Sequence, residues 1–231
     1  KQLLKFHGEH TLEAPWDMYL DPVVFAPPMG FDNTVYFDVC YSGPLDQAER
    51  VLKPLYSAGK VLKDELETID YVALQKSGDD DDPRGASQYL KGGFIIDVTS
   101  ELIDTLVDNL EAHPTRGSMA FFQQSGGAIN EVPADATAFP HRYANSNLIT
   151  GSFWPYGVDT APHIEWSRRY WRKVDKFTEG FYSVDEFSET QQQVNKNFLG
   201  NYDRLVKIKN RYDPTNLFRL NANIKPTITA G

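Results

Sequence analysis

Alternating apolar and polar positions along the chain predict a set of short β-strands. The clearest case is 118–124, where Met119, Phe121 and Gln123 fall on one face and Ala120 and Phe122 on the other. A period of two residues is typical of a strand with two unlike faces. The strands predicted in this way cover residues 35–41, 89–96, 118–124, 147–154 and, with a weaker pattern, 23–26.

Four further segments place apolar residues at helical spacing, at 45–58, 101–112, 161–177 and 202–212. Pro54 lies inside the first of them and should kink or shorten it, because proline cannot donate the helical hydrogen bond. Strands with alternating faces fit an antiparallel sheet better than a fully buried parallel one. We therefore predict an α+β fold in which an antiparallel sheet is flanked by helices.

The composition of the chain limits the classes of function that it can have. The chain has 231 residues and a formal net charge of -9, which disfavours nucleic acid as a partner because phosphate binding requires clustered Lys and Arg. No apolar run approaches the roughly 20 residues that span a bilayer, and no glycine-rich phosphate loop follows a strand. Cys40 is the single cysteine, so the compartment, cytoplasmic or secreted, stays open. Its strand context predicts a small buried side chain.

Two stretches carry a resemblance to a known family. The tail, residues 201–224, contains YDPTNLF at 212–218 and ends on NANI at 221–224, while GGAI at 126–129 is followed by FPHR at 139–142. Together they resemble the berberine-bridge-type FAD-linked oxidases, in the family's own order. The physics of the tail fits a turn, since Pro214 ends a helix and pushes Asp213 out of helical conformation. Phe218 is then expected to anchor the segment that follows.

The resemblance implies an architecture as well as a chemistry. Residues 1–190 would form the substrate-binding domain of a two-domain flavin oxidase, and residues 191–231 a C-terminal segment that packs back on the FAD-binding domain. In the family that domain lies N-terminal, and nothing in this chain resembles it. We thus expect FAD as cofactor, a small-molecule substrate, and the FAD-binding domain of the same protein as partner. The intact protein would oxidise an alcohol, sugar or amine by hydride transfer to flavin, and this portion alone would be inactive.

The resemblance also nominates site residues. Tyr182 matches the tyrosine of the family's Tyr-x-Asn motif and would act as the base, although Val184 stands where the asparagine is usual. Gln123 precedes the paired glycines and would orient the substrate, since an amide cannot take up a proton. Asn221 and Asn223 would lie near the FAD-binding domain.

Plainer interpretations remain open for these residues. Tyr182 would be a partly buried strand tyrosine, and the two asparagines would satisfy local backbone groups. His141 of the FPHR motif is expected to be structural rather than a ligand or base, and the histidines show no spacing typical of a metal site. A rival function is a stand-alone ligand-binding or interaction module without redox activity.

Overall fold

A five-stranded antiparallel sheet forms the centre of the fold. The computed structural model describes residues 1–79, 86–182, 190–220 and 222–227. Every neighbouring pair of strands is antiparallel and the order across the sheet is β2-β1-β4-β5-β3, which confirms the predicted fold class. The strands are β1 (Met18–Ala26), β2 (Thr34–Tyr41), β3 (Ala86–Ile95), β4 (Ser118–Gln124) and β5 (Ser146–Pro155).

Helices precede, connect and follow these strands. Three were not predicted from the sequence (α1, α3 and α6), because short segments leave too few positions to establish a helical period. Within the described ranges the α-helices are α1 (Gln2–His10), α2 (Ala48–Leu52), α3 (Tyr71–Lys76), α4 (Ser100–Leu110), α5 (Ala161–Val174), α6 (Gln191–Asn197) and α7 (Tyr202–Tyr212). None of them is long and apolar enough to cross a bilayer.

The helix predicted over 45–58 is broken into three pieces. A 3-10 turn at Leu45–Gln47 leads into α2, and a second 3-10 stretch covers Lys53–Ser57. Pro54 lies at the start of that second stretch, where its missing N–H costs no hydrogen bond. The predicted effect of this proline is therefore confirmed.

One face of the sheet is covered by α1, α4 and α5, and we call it the covered face. Thr99 begins α4 by accepting a hydrogen bond from the Leu102 backbone N–H at 3.2 Å, which satisfies an amide that the helix leaves free. Phe122 of β4 is completely buried among the residues of this core. The core residues are Leu4, Val24, Ala26, Ile95, Leu102, Ile103, Leu106, Leu110, Ala120, Phe122, Leu148, Trp166, Tyr170 and Val174.

Two expectations for the sheet need correction. β1 begins at Met18, five residues before the predicted start at Val23, because Asp21 and Pro22 interrupt the apolar run that marks a strand. Cys40 of β2 is exposed rather than buried. It pairs with Tyr19 and lies on the sheet face opposite the covered one.

Candidate functional site

The second face of the sheet carries polar, aromatic and aliphatic side chains, and the helices α1, α4 and α5 do not pack on it; we call it the open face. Val23, Ile149 and Phe94 are nevertheless buried on this face. Strand register decides its membership, since every second residue of a strand points to the same side. Val23, Phe121, Ile149 and Gly92 form one row across four strands. Its members include Tyr19, Asp21, Val23 and Phe25 of β1, Thr34, Tyr36, Asp38 and Cys40 of β2, Met119, Phe121 and Gln123 of β4, Asn147, Ile149, Gly151 and Phe153 of β5, and Gln88, Leu90, Gly92 and Phe94 of β3.

Gln123 lies on the open face, as the alternation predicted. Its side chain is exposed, and its Oε1 accepts a hydrogen bond of 3.0 Å from Asn147 Nδ2. Asn147 itself is only 5% exposed, and its Oδ1 has no partner in the described part of the chain. A buried acceptor without a partner is costly. The pair therefore presents one exposed amide and one unfilled acceptor side by side.

Asn147 was not predicted from the sequence as a site residue. It is the first open-face position of β5, followed on the same face by Ile149. A single polar residue at the end of a predicted strand is common, so only the pairing with Gln123 shows its importance. No residue-level signal distinguishes it from an ordinary strand end.

A buried carboxyl lies on β1, the strand next to β4. Asp21 is 6% exposed, Tyr19 Oη donates to its Oδ2 at 3.0 Å, and its Oδ1 has no partner among the described residues. Burial raises the pKa of Asp21 to about 7, and the nearby charge of Asp38 adds to the shift. The available sequence signal was a charged residue directly before Pro22 in an apolar run.

Tyr182 lies beyond the β3 edge of the sheet. Glu179 extends that edge through two backbone hydrogen bonds with Phe94, at 3.1 and 2.8 Å. Gln123, Asn147, Phe94 and Glu179 thus follow one another across the sheet, which puts about 14 Å between the first and the last backbone. Tyr182 is three residues further on and 45% exposed. Tyr182 and Gln123 are consequently well separated, and no hydrogen bond joins them among the described residues.

His141 fixes the segment that leads to Tyr182. Its Nε2 is 3.1 Å from Asn197 Oδ1, and the same oxygen accepts the Phe181 backbone N–H at 2.8 Å. The ring stacks on Phe94 with centroids 4.4 Å apart, and burial lowers the pKa of His141. Gly180 has φ +63, and a Cβ there would come within 2.4 Å of His141. This geometry matches the structural interpretation of His141.

The paired glycines make a tight turn at the end of β4. Gly126 and Gly127 have φ values of 97 and 51, which favour glycine. A Cβ on Gly127 would approach the Trp16 ring at 3.0 Å. The turn and Trp16 line a cleft of about 310 Å³ that also reaches Tyr19 of the open face.

The tail turn is organised by one carboxylate. Asp213 accepts backbone hydrogen bonds from Leu217 at 2.7 Å and Phe218 at 3.1 Å, and Lys209 binds the same carboxylate. The Lys209 ammonium is the main cause of the lowered pKa of Asp213. Phe218 is 78% exposed, so the expectation that it anchors this segment is wrong for the contacts within the described chain. The turn holds its own shape and leaves the phenyl ring outside.

Of the two tail asparagines, one can be placed. Asn221 lies outside the described residues, as does Val184. Asn223 accepts a hydrogen bond on its backbone oxygen from Gln191 Nε2 at 2.9 Å, while its own Oδ1 is buried without a partner in the described ranges. The Oδ1 of Asn223 therefore satisfies no backbone group within those ranges.

Known proteins resemble this chain in sequence. A model of the family "Berberine and berberine like" matches residues 184–225. An FAD-linked oxidoreductase of Dictyostelium discoideum is 28% identical over 228 residues, which is 98% of this chain and 49% of the relative. The berberine bridge enzyme-like C-1 protein of Nicotiana tabacum is 26% identical, over 90% of this chain and 47% of its own length. In sequence the chain is thus similar to the berberine-bridge-type FAD-linked oxidases.

Solved structures of family members share the fold. BBE-like enzyme number 28 from Arabidopsis thaliana superposes with a TM-score of 0.81 at 17% identity, over 97% of this chain and 54% of that one. A glycopeptide hexose oxidase solved with teicoplanin gives a TM-score of 0.80 at 21% identity, over 97% and 51%. The chain spans about half the length of the relatives it matches.

Proposed function

We propose that this chain forms the substrate-facing part of an FAD-dependent oxidoreductase that oxidises an alcohol, sugar or amine. The observation that carries the proposal is the open face, where a sheet lacks a helical layer and holds buried polar atoms without partners. Asn147 Oδ1 and Asp21 Oδ1 belong to that face. Unfilled polar groups of this kind indicate a surface that completes its hydrogen bonds with something outside the described chain.

The residues of this chain could form one side of a flavin site, but they could not form the whole site. The open face and Asn223 offer buried acceptors without partners, while the chain has no glycine-rich loop to hold phosphates. FAD, when bound, supplies the acceptor for the hydride. We infer that residues 1–190 cover the substrate, that residues 191–231 pack on an FAD-binding domain, and that Asn221 and Asn223 face that domain.

The residues of the chain itself would bind, orient and deprotonate the substrate. The exposed Gln123 amide, steadied by Asn147, can donate to or accept from a substrate hydroxyl or amine. We propose Tyr182 as the group that takes the substrate proton, supported by the motif and by the hydrogen bond that locks Phe181 beside it. A tyrosine serves as a base only if positive charge or hydrogen-bond donors stabilise its phenolate.

The test uses the protein expressed from its complete gene. We expect a flavin absorbance band in the purified protein and its bleaching under anaerobic conditions by an alcohol, sugar or amine. Tyr182→Phe should lower the rate of flavin reduction by about 10²–10⁴-fold. Gln123→Leu should raise KM more than it lowers kcat.

Matched variants separate these effects from general damage. Tyr156 is 81% exposed in the turn after β5, and Gln2 is exposed on α1, which packs on the covered face. Tyr156→Phe and Gln2→Leu should leave flavin reduction unchanged. A purified protein without flavin that still binds a ligand would support the rival interpretation, a binding module without redox activity.

A further inference from the structure

Two carboxyls face each other on the open face. Asp21 of β1 and Asp38 of β2 are direct partners in the antiparallel register, so their side chains start about 5 Å apart on the same side of the sheet. Like charges at such positions repel and destabilise the strand pair. In the described part of the chain, neither carboxyl has a lysine or arginine among its electrostatic neighbours.

The surroundings of Asp21 contain few groups that could offset its charge. Tyr19 on the same strand donates to Oδ2, and the Phe122 backbone N–H also donates to this carboxyl, which lowers its pKa. On the open face, β2 presents Tyr36, Asp38 and Cys40, and β4 presents Met119, Phe121 and Gln123. The titratable groups around Asp21 are therefore another acid, two tyrosines and a thiol, and none of them is a cation.

A buried oxygen shows that this cluster is incomplete. Asp21 is only 6% exposed, and its Oδ1 has no hydrogen-bond partner among the described residues. A hydroxyl would fill Oδ1 but leave the repulsion between the two carboxyls unchanged. A protonated amine would donate to Oδ1 and also attract both carboxyls, which makes it the better match.

We propose that Tyr19, Asp21 and Asp38 form an acidic subsite that binds a protonated amine of the substrate. The subsite adjoins apolar and aromatic positions of the same face, Val23, Tyr36 and Phe121, which would contact the carbon skeleton. This inference rests on the proposed function and narrows its substrate class from alcohols, sugars and amines to amines.

The subsite can be tested by binding, without turnover. Benzylamine and benzyl alcohol have the same shape and differ in charge. In the FAD-loaded protein expressed from its complete gene, isothermal titration calorimetry at pH 6.5 should give benzylamine an affinity about tenfold higher. Bound cation favours the ionised carboxyl, so benzylamine binding should release up to about one proton, measured as a dependence of the enthalpy on the buffer. Benzyl alcohol should release none.

Variants assign the effect to these residues. Asp21→Asn should abolish proton release and reduce the preference for benzylamine to less than about threefold, and Asp38→Asn should reduce the preference as well. Asp108→Asn removes the same charge from the far side of the domain and should change neither quantity. Equal binding of the two probes, or proton release that survives Asp21→Asn, would overturn the subsite.

Failure of the subsite and failure of the oxidase proposal give different results. Flavin reduction by an alcohol with no preference for benzylamine would contradict the subsite only. Preferential benzylamine binding that depends on Asp21, in a protein whose flavin no substrate reduces, would support the subsite and contradict the oxidase.

Discussion

The two faces of the sheet differ in the side chains that they carry and in what packs on them. The covered face packs Phe122 and its neighbours against three helices, and the core residues of this face are apolar and buried. The open face, built from the alternate residues of the same strands, holds a buried carboxyl, a buried amide and an exposed glutamine. Because a strand exposes successive residues to opposite sides, a single segment such as β4 serves stability with Phe122 and the candidate site with Gln123.

The largest contrast is expected between neighbouring phenylalanines of β4. Phe122→Ala should lower the free energy of unfolding by about 3–5 kcal/mol, since it leaves a cavity in a packed core. Phe121→Ala, on the partly exposed open face, should cost about 1 kcal/mol. Urea denaturation of the two variants measures the difference. Equal losses would mean that both faces contribute equally to stability.

Acid should weaken the covered face. Burial lowers the pKa of His7 to about 4, and neither of its ring nitrogens has a hydrogen-bond partner among the described residues. The unfolded chain binds a proton below about pH 6.5 and the native state only below about 4, so stability is lost as pH falls through this window. The loss for this group is about 3 kcal/mol.

A variant isolates that contribution. His7→Leu keeps the side chain apolar, so unfolding followed by circular dichroism should show a shallower loss of stability between pH 6.5 and 4. His10→Leu, one turn further along α1 and only partly buried, is the control and should change the slope less. An unchanged slope in His7→Leu would show that His7 is not the source.

The buried acid of the open face should respond in the opposite direction. The pKa of Asp21 is raised to about 7, so the native state holds a proton that the unfolded chain has already released. Stability should rise as pH falls from about 8 towards 4, by on the order of 4 kcal/mol from this group. Asp21→Asn should remove that rise, measured by denaturation at pH 8 and pH 5. A rise that persists in this variant would assign it to another acid.

The local pattern of apolar and polar residues was sufficient to predict most of the strands and several of the helices. Four strands and three helices lie within a few residues of their predicted bounds, and the effect of Pro54 appeared as predicted. Three helices were not predicted, α1, α3 and α6, because segments of six to nine residues rarely define a helical period. β1 was found only in part, since Asp21 and Pro22 break its apolar run and only its pairing with two neighbouring strands extends it.

The site was less accessible to sequence reasoning. Alternation placed Gln123 on the correct face, and the family motifs nominated Tyr182. Asn147 gave no signal and Asp21 only that of a charged residue before Pro22 in an apolar run, because what distinguishes both is an unfilled buried oxygen. That property depends on residues from other strands, which sequence spacing does not bring together.

By itself, the sequence determined the alternation of faces, the positions where helices stop, the absence of a phosphate loop and the resemblance of the motifs to FAD-linked oxidases. These are local properties, fixed by the stereochemistry of a few consecutive residues. Only the tertiary structure decided which face the helices cover, and thereby that Asp21 meets Asp38 across a strand pair. Burial and charge pairing arise between segments distant in sequence, so they exist only once the sheet has formed its register.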